Sequence, residues 1–263
     1  MQTFQKTIFN GGVLKMKKTN LSTHVIEMSE FQLAKEILKP DIVVLSGIKQ
    51  LDKLTGGFKA GKITYIDGDS GLISNIPNQI CVNTYKTFNS DTIYIDAGMC
   101  ADPYKIAQNA RKLELNQKDT LNHIHITRAF TVYQLATLIQ DMLEPAIKRY
   151  KPQTLIIGRY PLFYIDNDVP EKEAKTLLKT NLCKIHELTT KYNLITIFTN
   201  LDKRMLSTSR GIKNTLYKNV DEIVSMKESE LITDVELVKS QQKTMILHLA
   251  KGQLRLQEFG KVV

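Results

Sequence analysis

Acidic residues are missing from the start of this chain: none precedes Glu27, whereas Lys6, Lys15, Lys17 and Lys18 do, with Gly11-Gly12 among them. A basic tract with no counter-charge reads as a mobile arm and not as part of a packed core. Cysteine is also scarce. Cys81, Cys100 and Cys183 are odd in number and far apart, and no pair has zinc-finger or redox-motif spacing. This excludes a disulfide scaffold and leaves reduced thiols in a cytosolic protein as the expectation. No apolar run approaches the ~18 residues that a membrane span needs, so no membrane partner is expected. No apolar core followed by a small-residue cleavage site opens the chain, so a cytoplasmic location is expected over secretion. Met16-Lys17-Lys18 is an alternative start, which would leave the first fifteen residues outside the true protein.

Internal repeats, low-complexity tracts and Pro-rich linkers are lacking too. The organisation expected is therefore a basic arm with a short linker helix over residues 1–40 and one core domain over 41–263. With 263 residues, of which 42% are hydrophobic and 24% charged, the chain can bury a two-sided α/β core. Lys and Arg exceed Asp and Glu by 36 − 27 = 9, for a net charge of +9. A surplus of this kind concentrates polyanions at the surface, and nucleic acid is the commonest of them.

Strands and helices alternate from Asp41 onward. Ser29 with Gln32 has capping-box spacing, and Pro40 ends the short helix between them. Ser46 is expected to cap a helix carrying Ile48, Leu51 and Leu54, stopped by Gly56-Gly57. Strands are expected at Lys62–Asp67, Asp91–Asp96, His123–Thr127, Thr154–Gly158 and Leu194–Thr199. Helices are expected from about Ile76, after Asp102-Pro103, over 131–149 and over 171–191. Short strands at 222–226, 231–238, 244–249 and 253–258 close the pattern. Near-continuous apolar strands separated by helices imply a mainly parallel sheet covered on both faces, and the final run adds antiparallel strands at one edge.

The segment LSGIKQLDKLTGGFKAGKIT (45–64) resembles the stretch leading into the ATPase core of RecA/RadA recombinases. The resemblance continues in order through YIDAGMCADPYKIAQNARKLEL (94–115), HITRAFTVYQLATLI (125–139), TLIIGRYPLFY (154–164) and LITIFTN (194–200). It implies a RecA-like P-loop NTPase core over about 29–226. The separate N-terminal helical domain of RadA itself is absent, which is similar to an archaeal-type RadA paralogue.

A phosphate loop needs close-approach glycines, a lysine for the β/γ-phosphates and a hydroxyl for magnesium, set between a strand and a helix. Gly56–Lys62 has the spacing but precedes a strand and ends on Ile63. The correctly placed stretch is Gly68-Asp69-Ser70-Gly71-Leu72-Ile73-Ser74-Asn75. There Gly68, Ser70 and Gly71 remain as phosphate-holding groups, while Ile73, Ser74 and Asn75 stand where the resemblance implies Gly, Lys and Ser/Thr. It likewise implies a catalytic glutamate at Gly98, a Walker B acid at Gly158 and a polar sensor at Leu201. Arg159 either stands in for part of a metal's charge or reaches solvent from its strand end. Four losses in separate segments point to a pseudo-ATPase with no catalytic residues, no metal and no cofactor expected; ATP binding would be weak at best.

Phe31-Gln32-Leu33-Ala34 resembles the Phe-x-x-Ala motif by which recombinases plug into a neighbour, so Phe31 and Ala34 are candidate contacts to a RadA-type recombinase or a second copy, against an ordinary amphipathic helix. After LITIFTN the family carries a single-stranded DNA-binding loop. Lys203, Arg204, Arg210, Lys213 and Lys218 are the candidate contacts to single- or double-stranded DNA, with Tyr217 a candidate stacking residue. The function expected is a non-catalytic RadA-like accessory protein of recombination and repair. The alternatives are a DNA-dependent ATPase paralogue active only with a partner, and a RecA-like structural module outside recombination.

Overall fold

A computed structural model describes residues 41–201 and 209–247. The chain divides into two units, residues 1–40 and 41–263, and every described residue belongs to the second. The arm, the helix expected from Ser29, Phe31, Ala34, Lys203, Arg204 and the strand expected at 253–258 lie outside the described residues.

The elements run β1 (Val43–Val44), α1 (Lys49–Thr55), β2 (Phe58–Lys59), β3 (Lys62–Gly68), α2 (Leu72–Phe88), β4 (Thr92–Asp96), α3 (Pro103–Lys112), α4 (Gln117–Asn122) and β5 (Ile124–Arg128). Next come α5 (Val132–Thr137) and α6 (Leu143–Tyr150), joined by a π turn at Leu138–Met142, then β6 (Thr154–Gly158) and a 3₁₀ turn at Leu162–Ile165. The chain continues through α7 (Glu171–Lys191), β7 (Ile195–Asn200), α8 (Arg210–Lys218), β8 (Glu222–Glu228), β9 (Ile232–Leu237) and β10 (Gln242–Leu247).

Eight strands form one sheet in the order β10-β9-β8-β3-β7-β6-β4-β5. From β8 to β5 every pairing is parallel, and β9 and β10 extend the β8 edge as antiparallel strands. This is the mainly parallel, edge-extended α/β sheet that the alternation of elements implies. Strand β3 is central, with Lys62 opposite Ile195 of β7 and Thr64 opposite Glu222 of β8. Its side chains alternate between two cores. Ile63 and Tyr65 join a cluster with α5, α6, α7 and α8, while Ile66 joins one with α1, α2 and α3.

Three local expectations need correction. Helix α2 opens at Leu72, four residues before Ile76. The Ser70 hydroxyl accepts from the Leu72 N–H at 3.2 Å, and buried Ile73 extends the apolar stripe of Ile76 and Ile80, so winding begins early. Ser46 stands two residues ahead of the α1 cap position, Ile48. Instead of capping directly, it donates its N–H and hydroxyl to Asp52 Oδ1, both at 2.7 Å, while its own oxygen accepts from the Ile48 N–H. The long helix at 131–149 is interrupted by the π turn just before Pro145, which has no N–H to continue the i→i−4 ladder.

Candidate functional site

The stretch Gly56–Lys62 runs from the end of α1 through β2 into the first residue of β3, and is not followed by a helix. Gly56 and Gly57 have φ of 71° and 85°, and Lys62 pairs with Asp221 at 3.1 Å.

The correctly placed phosphate-loop stretch lies at the carboxyl end of β3, but its polar groups are committed internally. Gly68 is fixed by its neighbour strand: a Cβ there would sit 1.9 Å from the Met226 carbonyl oxygen on β8. Ser70 is buried, and its hydroxyl accepts from the Leu72 N–H at the start of α2. The Gly71 N–H, where an anion would be held, donates instead to Glu228 Oε2 at 2.6 Å. The Ser74 hydroxyl donates to the Gly71 carbonyl at 2.7 Å. Asn75 Oδ1 is turned inward with no partner among the described residues. A carboxylate thus takes the backbone N–H that the resemblance assigns to an anion, and the Asn75 side-chain oxygen faces the interior. These residues do not fit a magnesium-bound nucleotide.

The two positions at which the resemblance implies acids, Gly98 and Gly158, are packed against other side chains. The Arg159 stem lies over Gly98, so that a Cβ on Gly98 would come within 2.2 Å of Arg159 Cδ. Arg159 is half-buried, and its Nε is buried without a partner among the described residues. Gly158 faces the Tyr94 ring, and a Cβ there would lie 3.0 Å from Cε2. Burial, with Cys81 and Cys100 nearby, pushes the Tyr94 phenol well above its usual pKa. Met99 and Arg159 have φ of 56° and 51°, a left-handed conformation costing about 1–2 kcal/mol per non-glycine residue. Two such residues flank the same cleft.

Asp96, one residue before this turn, is a buried structural anchor. It accepts from the N–H groups of Gly98, Cys100 and Ala101 at 3.2, 2.9 and 3.1 Å, and Arg128 Nε lies 3.4 Å away. Asp67 has a parallel role at the end of β3. It accepts from Asn200 Nδ2 at 3.0 Å and from the Tyr217 hydroxyl at 2.7 Å. Leu201, in place of a polar sensor, packs against the core cluster of α2.

Among the expected DNA contacts, Arg210, Lys213 and Lys218 share α8. Ile212 and Leu216 bury the opposite side of that helix, Lys218 is exposed, and Lys213 Nζ sits 5.2 Å over the Tyr217 ring. Tyr217 is not a free stacking platform: its hydroxyl is tied to Asp67 and its ring meets Tyr65 edge-on at 5.9 Å.

A separate apolar cavity of about 230 Å³ lies beside the edge strand β5, lined by Ile93, Ile95, Leu138, Met142 and Ala146. His125 forms one wall, held by Asp91 at 2.7 Å and stacked on Tyr150 at 3.7 Å.

Sequence reading missed Glu228, Tyr94 and the Arg159 stem as the groups that fill the cleft. Glu228 lies 157 residues from Gly71, and no local pattern marks that pairing.

The sequence model of the Rad51 family matches residues 38–224 of this chain. A Drosophila melanogaster protein described as a DNA repair protein Rad51 homolog is 27% identical over 176 residues, which cover 64% of this chain and 48% of the fly protein. The chain therefore spans about half the length of the curated relative it matches.

Proposed function

The chain belongs to the Rad51 family, and from that premise we propose that it is a non-catalytic, RecA-like accessory protein of DNA recombination and repair. The description of the fly relative as a DNA repair protein supports the process. The observation that carries the non-catalytic part is the Glu228 carboxylate on the Gly71 N–H at 2.6 Å. Any nucleotide phosphate would have to displace that charge without help from a loop lysine. Gly98 under Arg159 and Gly158 against Tyr94 support the same reading, since neither position carries an acidic side chain and each lies against a bulky neighbour.

The work of such a protein is contact with DNA, with a RadA-type recombinase, or with both. Lys203, Arg204, Arg210, Lys213 and Lys218 are the cations proposed to contact DNA phosphates, Lys213 and Lys218 from α8. Phe31 and Ala34 are the plug offered to a neighbouring protomer. The cavity beside β5 has the apolar lining and size for a single aromatic anchor, and the side of the edge strand next to it that is unpaired among the described residues can hydrogen-bond an extended segment. One chain of this kind can thus join a recombinase polymer through plug, socket or both.

The test is calorimetric titration of MgATP into the full chain, with hydrolysis followed alone and together with single-stranded DNA and a RadA-type recombinase. No heat is expected from the chain alone, and no turnover in any mixture beyond that of the recombinase without this chain. Turnover above the recombinase's own rate would replace this reading by that of a partner-completed ATPase. Phe31→Glu is expected to abolish capture by the recombinase or by a second copy; unchanged capture removes Phe31 from the interface.

A further inference from the structure

The exposed side of α3 presents a basic and aromatic groove that lies apart from α8 and the cavity beside β5. Its volume is about 510 Å³, and it is lined by Asp102, Tyr104, Lys105, Gln108, Arg111 and Gln117. Tyr104 is 89% exposed, an unusual position for a large ring with nothing packed on it. Neither Lys105 nor Arg111 takes part in an ion pair among the described residues. The one carboxylate in the groove, Asp102, is engaged as the α3 cap, accepting from the Lys105 N–H at 3.0 Å. Lys112 adds a further exposed cation one residue beyond Arg111.

Helical geometry aligns these groups. Tyr104, Gln108 and Arg111 follow at i, i+4 and i+7, which places them on one stripe, with Lys105 and Lys112 along its flank. Seven residues at 1.5 Å each separate Tyr104 from Arg111 by about 10 Å along the axis, the length of about three nucleotides at 3.4 Å each. Ile106 and Ala110 seat the other side of α3 in the core cluster of α2, whereas α8 packs on the opposite face of the sheet. The groove is therefore a separate surface from the α8 cations.

We propose that this groove binds single-stranded nucleic acid, with Tyr104 stacking on a base, Lys105 and Arg111 holding phosphates, and Gln108 and Gln117 donating to phosphate or base edges. Free cations beside an unpartnered flat ring are the two components of sequence-tolerant single-strand sites. Cations alone would suit an acidic peptide equally; the bare ring at the head of the stripe favours a ligand with π-faces.

The experiment measures binding of a fluorescent oligo-dT to the full chain by anisotropy across a salt series. Lys105→Ala with Arg111→Ala is expected to weaken binding and to reduce the slope of log K against log[salt] by about 1.4, at about 0.7 per phosphate contact. Tyr104→Ala is expected to weaken binding between about five- and a hundredfold with the slope unchanged, and Tyr104→Trp to restore it. Lys213→Ala with Lys218→Ala tests α8 in parallel, so that failure of one surface is distinguishable from failure of the other. Unchanged affinity in all the α3 variants overturns the proposal. So does a silent Tyr104→Ala combined with equal competition by poly-glutamate, which would make the groove a docking site for acidic protein segments.

Discussion

Alanine at Gly68 and alanine at Gly71 are predicted to have opposite effects, and the difference arises from what each glycine touches. Gly68 ends the central strand β3 opposite Met226 of the parallel strand β8. A Cβ at that position would lie 1.9 Å from the Met226 carbonyl oxygen and 2.8 Å from its carbonyl carbon. The obstacle is backbone, and the same oxygen accepts the Asp69 N–H at 3.2 Å, so relief requires opening the β3–β8 ladder. Overpacking ordinarily costs about 1–3 kcal/mol, and a rigid backbone obstacle puts Gly68→Ala at the upper end or above it. At about 2–4 °C per kcal/mol for a domain of this size, the melting temperature should fall by roughly 6–12 °C. Gly71 has ordinary helical angles, φ −58° and ψ −21°, and a Cβ there would meet only Glu228 Oε2 at 3.7 Å. Gly71→Ala should therefore be neutral or stabilise by up to about 1 kcal/mol. Urea denaturation of the two variants without nucleotide measures both effects. Equal midpoints would refute the reasoning, because they would mean that Gly68 is not held by strand packing.

Tyr217→Phe removes the hydrogen bond to Asp67 and should cost about 1.5 kcal/mol in urea denaturation. An unchanged midpoint would show that Asp67 does not depend on α8. Hydrogen bonds from Lys191, Lys184 and Tyr192 hold the Glu144 carboxyl far below the usual carboxylate range. A lowered folded-state pKa means that its stabilisation is present above the ordinary value of about 4.3 and is lost as the pH falls below it. Glu144→Gln should accordingly be less stable than the wild type at pH 7, with the gap closing toward pH 3; a gap independent of pH would contradict this. Burial pushes the Cys100 thiol up to about 11, with Asp96 adding to the effect, and Cys183 is exposed. Iodoacetamide at pH 8 should alkylate Cys183 first, as read by mass spectrometry of peptides, and faster labelling of Cys100 would be the contrary result.

The sheet was readable because its signals are local. KITYID, TLIIG and LITIFTN are short apolar runs between turn residues, and α7 carries 21 residues of helical periodicity, so their positions follow from composition and spacing. The start of α2 was misplaced because Ile73 was weighed as a lost glycine when it is also the first residue of an apolar stripe. Asp52 reaching back to Ser46 was hidden for a related reason: two polar residues six apart have no fixed relation until the turn between them is known. That the resemblance implies other residue types at Gly98, Gly158 and Asn75 is visible in sequence, but what packs against Gly98 and Gly158 is not. Tyr94 reaches Gly158 across adjacent strands, and Glu228 reaches Gly71 from a strand that pairs with β3 only in the folded sheet. The α3 groove escaped notice because Tyr104, Lys105 and Arg111 read singly as solvated helix residues, and only their shared stripe and lack of ion-pair partners separate them from that background.

The measurement that tests the central claim most directly follows single-stranded DNA binding across a salt series, with ATP hydrolysis recorded in the same tubes. The account predicts binding that weakens steeply with salt, is indifferent to added MgATP and is accompanied by no turnover. DNA-stimulated hydrolysis by the chain alone would contradict it, because the proposed reading assigns this chain no group that performs that reaction.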